Sequence, residues 1–215
     1  MKNSTKKDIG DAYRQGKSSF FRSMQSISKG RNIKLASKSP RRQQLLQGLE
    51  LDFEVWSMEV DESFPSHLQR EEIPLYLAKI KADAFMPRLQ PNDILITADT
   101  IVWINNRVLN KPGNRDEAVE MLRTLSGNVH EVYTGVCLRT TDREILLSDC
   151  TQVHFTSLSE EEIAHYIDRY SPYDKAGSYG AQDWIGLVGI DKLVGSYFNV
   201  MGLPVHKVYQ ALQSF

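Results

Sequence analysis

A short polar loop at residues 37–42, with the sequence SKSPRR, has the composition of an anion-binding site. It follows an apolar run that predicts a strand at residues 33–36, and Ser39 followed by proline is typical of a helix start. The free N–H groups and the dipole of a helix N-terminus favour an anion, whereas Arg41 and Arg42 in the first turn oppose that dipole. Two cations at this end make physical sense if a polyanion binds between them. The alternative is a surface pair of arginines with carboxylate partners.

Four further charged residues could act on a bound polyanion. Asp99 follows an apolar run at residues 93–98 that predicts a buried central strand, and α/β folds place ligands at the ends of such strands. The alternative is an aspartate that caps the turn before the next hairpin. Glu62 lies in a polar loop and is solvated unless that loop folds over the cleft, in which case Glu62 and Asp99 could hold a hard cation. Lys81 shares the apolar stripe of a predicted helix and needs a carboxylate or phosphate partner. Lys111 ends the hairpin, which could return it close to Asp99.

The elements that must position these residues alternate between strands and helices. A helix after Pro74 carries Lys81, Asn105 and Asn106 predict a hairpin turn, and Pro204 begins a last helix. Further predicted features are a helix capped by Asn114, strands at residues 132–139 and 144–155, a capping box of Ser159 and Glu162, and loops with short strands at residues 171–203. The pattern predicts the α/β class, with a mixed sheet and a single domain that has two lobes around a cleft.

Charge is distributed unevenly along the 215 residues, although 26 basic and 27 acidic side chains leave a formal net charge of −1. Residues 1–31 carry eight basic and two acidic side chains, a net charge of +6, so the remainder carries −7. The near-neutral total excludes a bulk polycation that coats nucleic acid. We expect residues 1–31 to be a non-catalytic basic extension of a domain at residues 32–215. The alternatives are an organelle transit peptide or a true start at Met24.

Other function classes find little support. No apolar run approaches the roughly 18 residues that span a bilayer, and Arg22 interrupts the candidate secretory signal, so we expect a cytoplasmic protein. Cys137 and Cys150 are expected to be small buried strand residues rather than metal ligands or a disulfide. The five histidines lack zinc-site spacing, and the sequence has no G-x-S-x-G, Walker or G-x-G-x-x-G motif. Serine hydrolases, P-loop enzymes and Rossmann dehydrogenases are therefore disfavoured.

From about Ile33 to the C-terminus, the sequence resembles the Maf family of nucleoside triphosphate pyrophosphatases. The resemblance rests on ordered motifs, which are SKSPRR at residues 37–42, ADT at 98–100, KP at 111–112, LSG at 125–127, YTGV at 133–136, KAGSY at 175–179, GSY at 195–197 and NVMGLP at 199–204. It implies a fold related to the inosine triphosphatase class, with an elongated mixed sheet, helices on both sides and a deep central cleft. Residues 1–31 fall outside it.

The resemblance also implies an activity, the hydrolysis of a nucleoside triphosphate between its α- and β-phosphates with Mg²⁺ or Mn²⁺. YGAQ at residues 179–182 and the GSYxNVxGLP ending resemble the branch that acts on dTTP and UTP. One alternative is a non-catalytic nucleotide-binding regulator of cell division. Another is a pyrophosphatase that removes modified nucleotides, such as 7-methyl-GTP. The same resemblance implies a homodimer, and we expect no stable nucleic-acid or membrane partner.

The family's functional positions carry over onto matching residues of this sequence. The resemblance implies Asp99 as proton acceptor, Glu62, Lys81 and Lys111 as further catalytic positions, and Arg41, Thr100 and Gln182 as specificity positions. We also expect Ser37 and Arg42 of the loop motif to bind the substrate. Glu62 and Asp99 are the expected metal ligands. Arg42 has the alternative role of bracing the loop. Gln182 and Thr100 could recognise the donor–acceptor edge of uracil or thymine, since an amide can match both groups.

Overall fold

A computed structural model describes residues 29–215 of the chain. The predictions about residues 1–28, which include Met24 and most of the basic extension, lie outside the described residues. The strands are β1 (Asn32–Ala36), β2 (Phe53–Trp56), β3 (Asp93–Ile104), β4 (Arg107–Leu109), β5 (Val129–Arg139), β6 (Glu144–Phe155) and β7 (Ile190–Val194). The helices are α1 (Pro40–Gln47), α2 (Glu72–Phe85), α3 (Arg115–Leu125), α4 (Glu160–Tyr170), α5 (Trp184–Gly189), α6 (Tyr197–Met201) and α7 (Val205–Gln213). None of the helices in the described range combines the length and apolar character that a bilayer crossing needs.

The seven strands form one mixed sheet. Their order is β2-β1-β3-β5-β6-β7, and β4 is added beside β3. β1 runs parallel to both β2 and β3, whereas β4 and β5 run antiparallel to β3. The pairs β5–β6 and β6–β7 are also antiparallel. This arrangement, with helices packed on both faces, confirms the predicted fold class.

The two edges of the central strand β3 have different neighbours. β5 pairs with one edge from Leu95 to Trp103. The other edge pairs with β1 up to Ile96 and with β4 from Val102, and between these points no strand within residues 29–215 pairs with it. The sequence predicts a strand that ends before Asp99, and this prediction is wrong because β3 continues unbroken into the hairpin. Asp99 therefore lies beside a gap in the sheet, in the middle of a strand.

Successive side chains of β3 point to opposite faces of the sheet. Thr97 and Asp99 face α2, where the Thr97 hydroxyl donates a hydrogen bond to the Ala78 carbonyl at 2.6 Å. Ala98 and Thr100 face the opposite side, which the other large helices cover. Two neighbouring residues of one strand therefore present a carboxylate and a hydroxyl to different walls of the gap.

Two hydrophobic clusters fill the face of the sheet opposite α2. The first cluster packs Ile94 and Ile96 of β3 against α1 and α7. The second cluster packs Val102 and Ile104 against α3 and α4. Thr100 lies between the two clusters on this face, so the gap falls where one core ends and the next begins. The clusters are the physical basis of two lobes around a cleft.

Gly135 on β5 allows α2 to approach the sheet closely. It is the cross-strand partner of Asp99. A Cβ atom at Gly135 would lie 2.3 Å from the carbonyl carbon of Pro74 and 2.4 Å from the amide nitrogen of Leu75. The backbone of α2 therefore rests directly on the backbone of β5. Because Lys81 lies about two turns further along the same helix, this contact helps to hold Lys81 over Asp99.

Several local predictions are confirmed. Asn105 and Asn106 both have positive φ angles, 52° and 57°, as a tight hairpin turn requires. Asn114 caps α3 through its side chain. Ser159 and Glu162 form both hydrogen bonds of the capping box at the start of α4. These signals are local, so they can be recognised without knowledge of the tertiary structure.

Other local predictions are wrong. α2 begins before Pro74, because proline is tolerated in a first turn whose N–H groups have no helical partner. Residues 171–203 contain a short strand, β7, as predicted, but also α5 and α6, which are too short to produce a clear helical period. Cys137 is buried as expected, but Cys150 is exposed, because α2 covers β3 and β5 more fully than β6. Both thiols are free.

Candidate active site

The Lys81 ammonium group is the centre of the candidate site. Its Nζ atom lies 2.5 Å from Asp99 Oδ1 and 2.7 Å from Glu62 Oε1. The side chains of Lys81 and Asp99 are each 13% exposed, so their ion pair is largely withdrawn from water. The partner that Lys81 needs on its apolar stripe is thus a carboxylate, and in fact two carboxylates share it.

Glu62 lies on the loop between β2 and α2, and this loop brings its carboxylate to the gap in the sheet. Its second oxygen, Oε2, lies 3.7 Å from Lys111 Nζ, so the hairpin after β3 does return Lys111 to the site. Burial alone would raise the pKa of Glu62. The hydrogen bond from Lys81, together with the charges of Lys81, Lys111 and Arg42, instead holds the pKa of this half-exposed carboxyl below its ordinary value. The loop that carries Glu62 therefore folds over the cleft, which is the arrangement in which Glu62 and Asp99 could hold a cation together.

The loop between β1 and α1 is held in shape by its own polar groups. Ser37 is buried, and its Oγ accepts a hydrogen bond from the Ser39 N–H at 3.2 Å. Gln43 Nε2 donates to the Ser37 carbonyl at 3.2 Å. Ser39 occupies the N-cap position of α1, but its side chain makes no capping hydrogen bond. The first N–H groups of α1 have no partner within the helix.

Arg42 braces this loop against the opposite wall. Its Nε donates to the Gly202 carbonyl at 2.8 Å, and its second terminal nitrogen donates to Thr100 Oγ1 at 3.0 Å. Burial lowers the pKa of the Arg42 guanidinium from its ordinary value, and the nearby charge of Arg41 acts in the same direction. Two of the guanidinium's hydrogen bonds are thus made to the protein itself, as the bracing alternative predicts.

The Thr100 hydroxyl belongs to a chain of hydrogen bonds. Thr134 Oγ1 lies 2.9 Å from Thr100 Oγ1 and donates to the Asn199 carbonyl at 3.0 Å. Because each hydroxyl has a single hydrogen, Thr100 donates to Thr134 and accepts from Arg42. One lone pair of Thr100 is left for a ligand in this arrangement.

Arg41 is bound to a carboxylate that the sequence reasoning missed. Its terminal nitrogen donates to Asp174 Oδ2 at 3.0 Å, and Lys175 Nζ donates to the other oxygen of Asp174 at 2.8 Å. Burial alone would raise the pKa of Asp174, but the hydrogen bonds from Lys175 and Arg41 hold it below its ordinary value. The available signal was the acid–base pair that begins the DKAGSY segment. A phosphate group carries the same kind of charge and acceptor oxygens as Asp174.

Gln182 lies on the far wall of the gap with an unsatisfied acceptor. Its Oε1 atom is buried and has no hydrogen-bond partner among the described residues. A buried acceptor without a partner is costly, by about 1–3 kcal/mol. The side chain is therefore suited to an N–H donor that is supplied by a ligand.

Two adjoining cavities occupy the cleft. The larger, about 580 Å³, extends from the β1–α1 loop to Trp56 and Phe85, and the smaller, about 130 Å³, lies between Asp99 and Gln182. The charged residues that line both cavities are Arg41, Arg42, Glu62, Lys81, Lys111 and Asp174. The nine site residues predicted from the sequence all line one cavity or the other, with Ser37 in the larger and Thr100 in the smaller. The structure thus brings them into one cleft.

The carboxylates of Glu62 and Asp99 are the oxygen ligands that this cleft offers to a cation. Within residues 29–215, no group of three or more His, Cys, Asp or Glu side chains is arranged to hold a metal ion. Mg²⁺ prefers six oxygen ligands and is usually bound by one or two carboxylates together with substrate phosphates. The donor set therefore fits such an ion if phosphate oxygens and water complete the shell and Lys81 moves away from the carboxylates.

The mixed sheet, its central gap and the cations around two carboxylates define an α/β protein with a cleft for a polyanionic ligand. The chain belongs to the Maf-like protein family, whose family model matches residues 32–215. This match confirms the family predicted from the sequence motifs.

Curated relatives cover most of the chain. A dTTP/UTP pyrophosphatase from Parabacteroides distasonis is 52% identical over 85% of this chain and 95% of its own length. Proteins of the same name from Bacteroides fragilis and Flavobacterium psychrophilum are each 53% identical, over 84% and 82% of this chain and 94% and 91% of their own. Among solved structures, a dITP/XTP pyrophosphatase from Mycobacterium abscessus covers 59% of this chain and 75% of its own, at 15% identity and a TM-score of 0.37. The names of the curated relatives agree with the predicted enzyme class, a nucleotide pyrophosphatase.

Proposed function

We propose that the protein hydrolyses dTTP and UTP to the nucleoside monophosphate and pyrophosphate. The observation that carries this proposal is the Lys81 ammonium held between Asp99 and Glu62 at the gap in the sheet, with further cations around it. Such a site combines a candidate base with positive charge placed where a triphosphate would lie. The names of the curated relatives support the same substrates.

The cations bind the triphosphate and stabilise the leaving group. Arg41, Lys81 and Lys111 face the cleft from three different elements, the start of α1, the middle of α2 and the segment after β4. In the free protein each is bound to a carboxylate, so the incoming phosphates replace protein carboxylates as their partners. Their charge stabilises the extra negative charge that develops on pyrophosphate as the bond to the α-phosphorus breaks.

Asp99 accepts the proton of the attacking water. Its contact with Lys81 uses Oδ1, which leaves Oδ2 to receive a proton. Glu62 and Asp99 would hold the divalent metal, Mg²⁺ or Mn²⁺, which when bound neutralises phosphate oxygens and makes the α-phosphorus easier to attack. When Lys81 turns toward the phosphates, both carboxylates become available for these roles.

Gln182 recognises the base. Its buried Oε1 accepts the N3–H of uracil or thymine, and its amide N–H₂ donates to the neighbouring carbonyl oxygen. Thr100 adds one acceptor lone pair, and the cavity of about 130 Å³ between Asp99 and Gln182 holds the pyrimidine ring. Ser37 acts mainly by shaping the β1–α1 loop, and Arg42 by bracing the wall beside this ring.

The test is a pyrophosphate-release screen of the full chain over dTTP, UTP, CTP, dATP, GTP and 7-methyl-GTP, with Mg²⁺, Mn²⁺ or no added metal plus EDTA. We expect release from dTTP and UTP and loss of release with EDTA. Preferred release from 7-methyl-GTP would favour the pyrophosphatase for modified nucleotides. Nucleotide binding without any release would favour the non-catalytic regulator.

The proposal extends to the whole chain. Residues 32–215 form the catalytic unit, and residues 1–31 contribute nothing to turnover, so a chain that starts at Asn32 is expected to keep the kcat of the full chain. The protein works in the cytoplasm, which agrees with two free thiols. The homodimer stays a prediction of the family resemblance, and analytical ultracentrifugation checks it.

A further inference from the structure

The segment that carries Gln182 is closed into a tight turn. The Asp183 N–H donates to the Gly180 carbonyl at 3.0 Å, which places Gln182 at the third position of the turn. The following Gly186 N–H donates to the Asp183 carbonyl at 3.0 Å and leads into α5. The position of the Gln182 amide in the cleft therefore depends on what fixes residues 180–183.

Tyr166 on α4 fixes this turn from below. Its side chain is fully buried, and its hydroxyl donates to Asp183 Oδ2 at 2.7 Å while it accepts the Gly180 N–H at 3.1 Å. One phenol thus contacts both ends of the turn. Burial raises the pKa of Tyr166, and its hydrogen bond to Asp183 acts in the same direction, so the phenol keeps its proton at neutral pH and remains a donor.

Charge and packing also hold the turn at residues 180–183 in place. The Asp183 side chain is only 17% exposed, and Lys175 Nζ lies 3.7 Å from its Oδ2. A Cβ atom at Gly180 would lie 2.5 Å from Asp183 Oδ2 and 3.1 Å from Lys175 Cε, so these groups fill the space above the turn. The turn therefore has one tightly defined position, which is set by contacts with the Tyr166 hydroxyl, the Asp183 carboxylate and the Lys175 ammonium.

We propose that Tyr166 and Asp183 are positioning residues that hold Gln182 in place and thereby set the selectivity of the site for uracil or thymine over cytosine. This inference rests on the proposed function of Gln182. Cytosine presents an acceptor at N3 where uracil presents a donor, so Gln182 Oε1 repels cytosine while the turn holds Gln182 in this position. If the turn loosens, Gln182 moves away from N3 and the repulsion of cytosine weakens.

The first test measures binding of the α,β-methylene analogues of UTP and CTP to the wild-type chain, Tyr166→Phe and Tyr170→Phe, with Mg²⁺. Tyr170 stacks on Tyr166 at 5.1 Å and is 36% exposed, so its hydroxyl is a matched control on the same helix. We define the selectivity ratio as the dissociation constant of the CTP analogue divided by that of the UTP analogue. We expect this ratio to fall about tenfold in Tyr166→Phe, which corresponds to the hydrogen bond between Gln182 and the base. The ratio should stay within about twofold in Tyr170→Phe.

This ratio separates positioning from general damage. A variant that merely unfolds in part loses affinity for both analogues by the same factor, so the ratio does not move. Asp183→Asn is a second variant, since it keeps the shape of the side chain and removes its charge, and we expect the same direction of change. As an independent readout, hydrogen exchange of the Gly180 amide is expected to accelerate in Tyr166→Phe and not in Tyr170→Phe.

An unchanged ratio in both Tyr166→Phe and Asp183→Asn overturns the proposal, as does a wild-type protein that binds the two analogues equally. Hydrolysis is measured separately with UTP itself. If the wild-type protein prefers the UTP analogue but releases no pyrophosphate from UTP, the proposed reaction fails while the positioning role stands on the binding ratio.

Discussion

Lys81 of α2 and Asp99 of β3 are in direct contact, with 2.5 Å between the ammonium nitrogen and Oδ1. Glu62 lies 2.7 Å from the same nitrogen, so one cation serves two carboxylates. In the free protein this contact keeps the like charges of the carboxylates from facing each other unscreened. In the proposed reaction the triphosphate competes for Lys81, and its arrival releases Asp99 for proton transfer.

Replacing Lys81 by methionine tests this shared role. The variant keeps an apolar stem on the stripe of α2 but leaves Asp99 and Glu62 without their common partner. We expect kcat to fall about 100-fold and the free energy of unfolding at pH 7 to fall by about 2 kcal/mol. Pyrophosphate release and urea unfolding measure the two effects.

Lys79→Met is the matched control, because Lys79 lies on the same helix with a side chain that is 42% exposed and bound to surface carboxylates. Its removal is expected to cost less than about 1 kcal/mol and to leave kcat unchanged. Equal loss of kcat in the two variants would contradict a specific role for Lys81.

Asp99→Asn separates binding from chemistry. The amide keeps the size of the side chain and can still accept from Lys81, but it is too weak a base to take a proton from water. We expect kcat to fall about 1,000-fold while the dissociation constant for UTP changes less than about threefold. Rapid-quench kinetics and calorimetric titration measure the two quantities. Asp191→Asn, at an exposed position of β7, is the control, and an Asp99→Asn variant with the wild-type rate would assign the base elsewhere.

His130 makes stability depend on pH. Burial, with a smaller effect of His154, lowers the pKa of His130 to about 3, from an ordinary value of 6.5. Between these values the unfolded chain binds a proton that the folded protein excludes, so the free energy of unfolding falls as the pH falls below 6.5. This residue contributes a slope of up to about 1.4 kcal/mol per pH unit. The slope is expected to be smaller in His130→Gln, measured by urea unfolding between pH 4 and 7, and unchanged in the exposed control His206→Gln.

Gly135→Ala tests whether the contact between α2 and β5 places Lys81. A methyl group at this position would enter the space of the Pro74 carbonyl, so the helix must move outward. We expect a loss of about 1–3 kcal/mol in the free energy of unfolding, together with a fall in kcat of about tenfold or more. At Gly113 an added Cβ would lie 3.4 Å from the flexible Glu117 side chain, so Gly113→Ala is the control. Destabilisation of Gly135→Ala without loss of kcat would show that other contacts position Lys81.

The sequence predicts what depends on neighbouring residues along the chain. The capping residues Asn114 and Ser159 and the hairpin turn at Asn105 were recognised because their hydrogen bonds or backbone angles are local. Lys81 was recognised because a cation on an apolar helical stripe requires a partner, and the structure supplies Asp99. Physical reasoning on single elements is sufficient for features of this kind.

The remaining features depend on contacts between distant elements. The sequence predicts a shorter β3 because the edge of this strand changes partner at the gap. No local pattern marks where β1 ends and β4 begins beside it. Arg41 and Asp174 are 133 residues apart in the sequence, and they meet only in the folded protein. Gly135 contacts the Pro74 backbone because α2 packs onto the sheet. Gln182 was found through the resemblance alone, because a buried acceptor without a partner becomes visible only in three dimensions.

The gap in the sheet also has a mechanical meaning. β3, β5 and β6 run unbroken past it, so these three strands connect the core around α1 and α7 to the core around α3 and α4. A change in the twist of these strands would change the distance between the end of β1 and the start of β4. A ligand that binds Arg41 on one side and Lys111 on the other would therefore link the two cores. The cleft would then bind most tightly the ligands whose length matches the distance between these two cations.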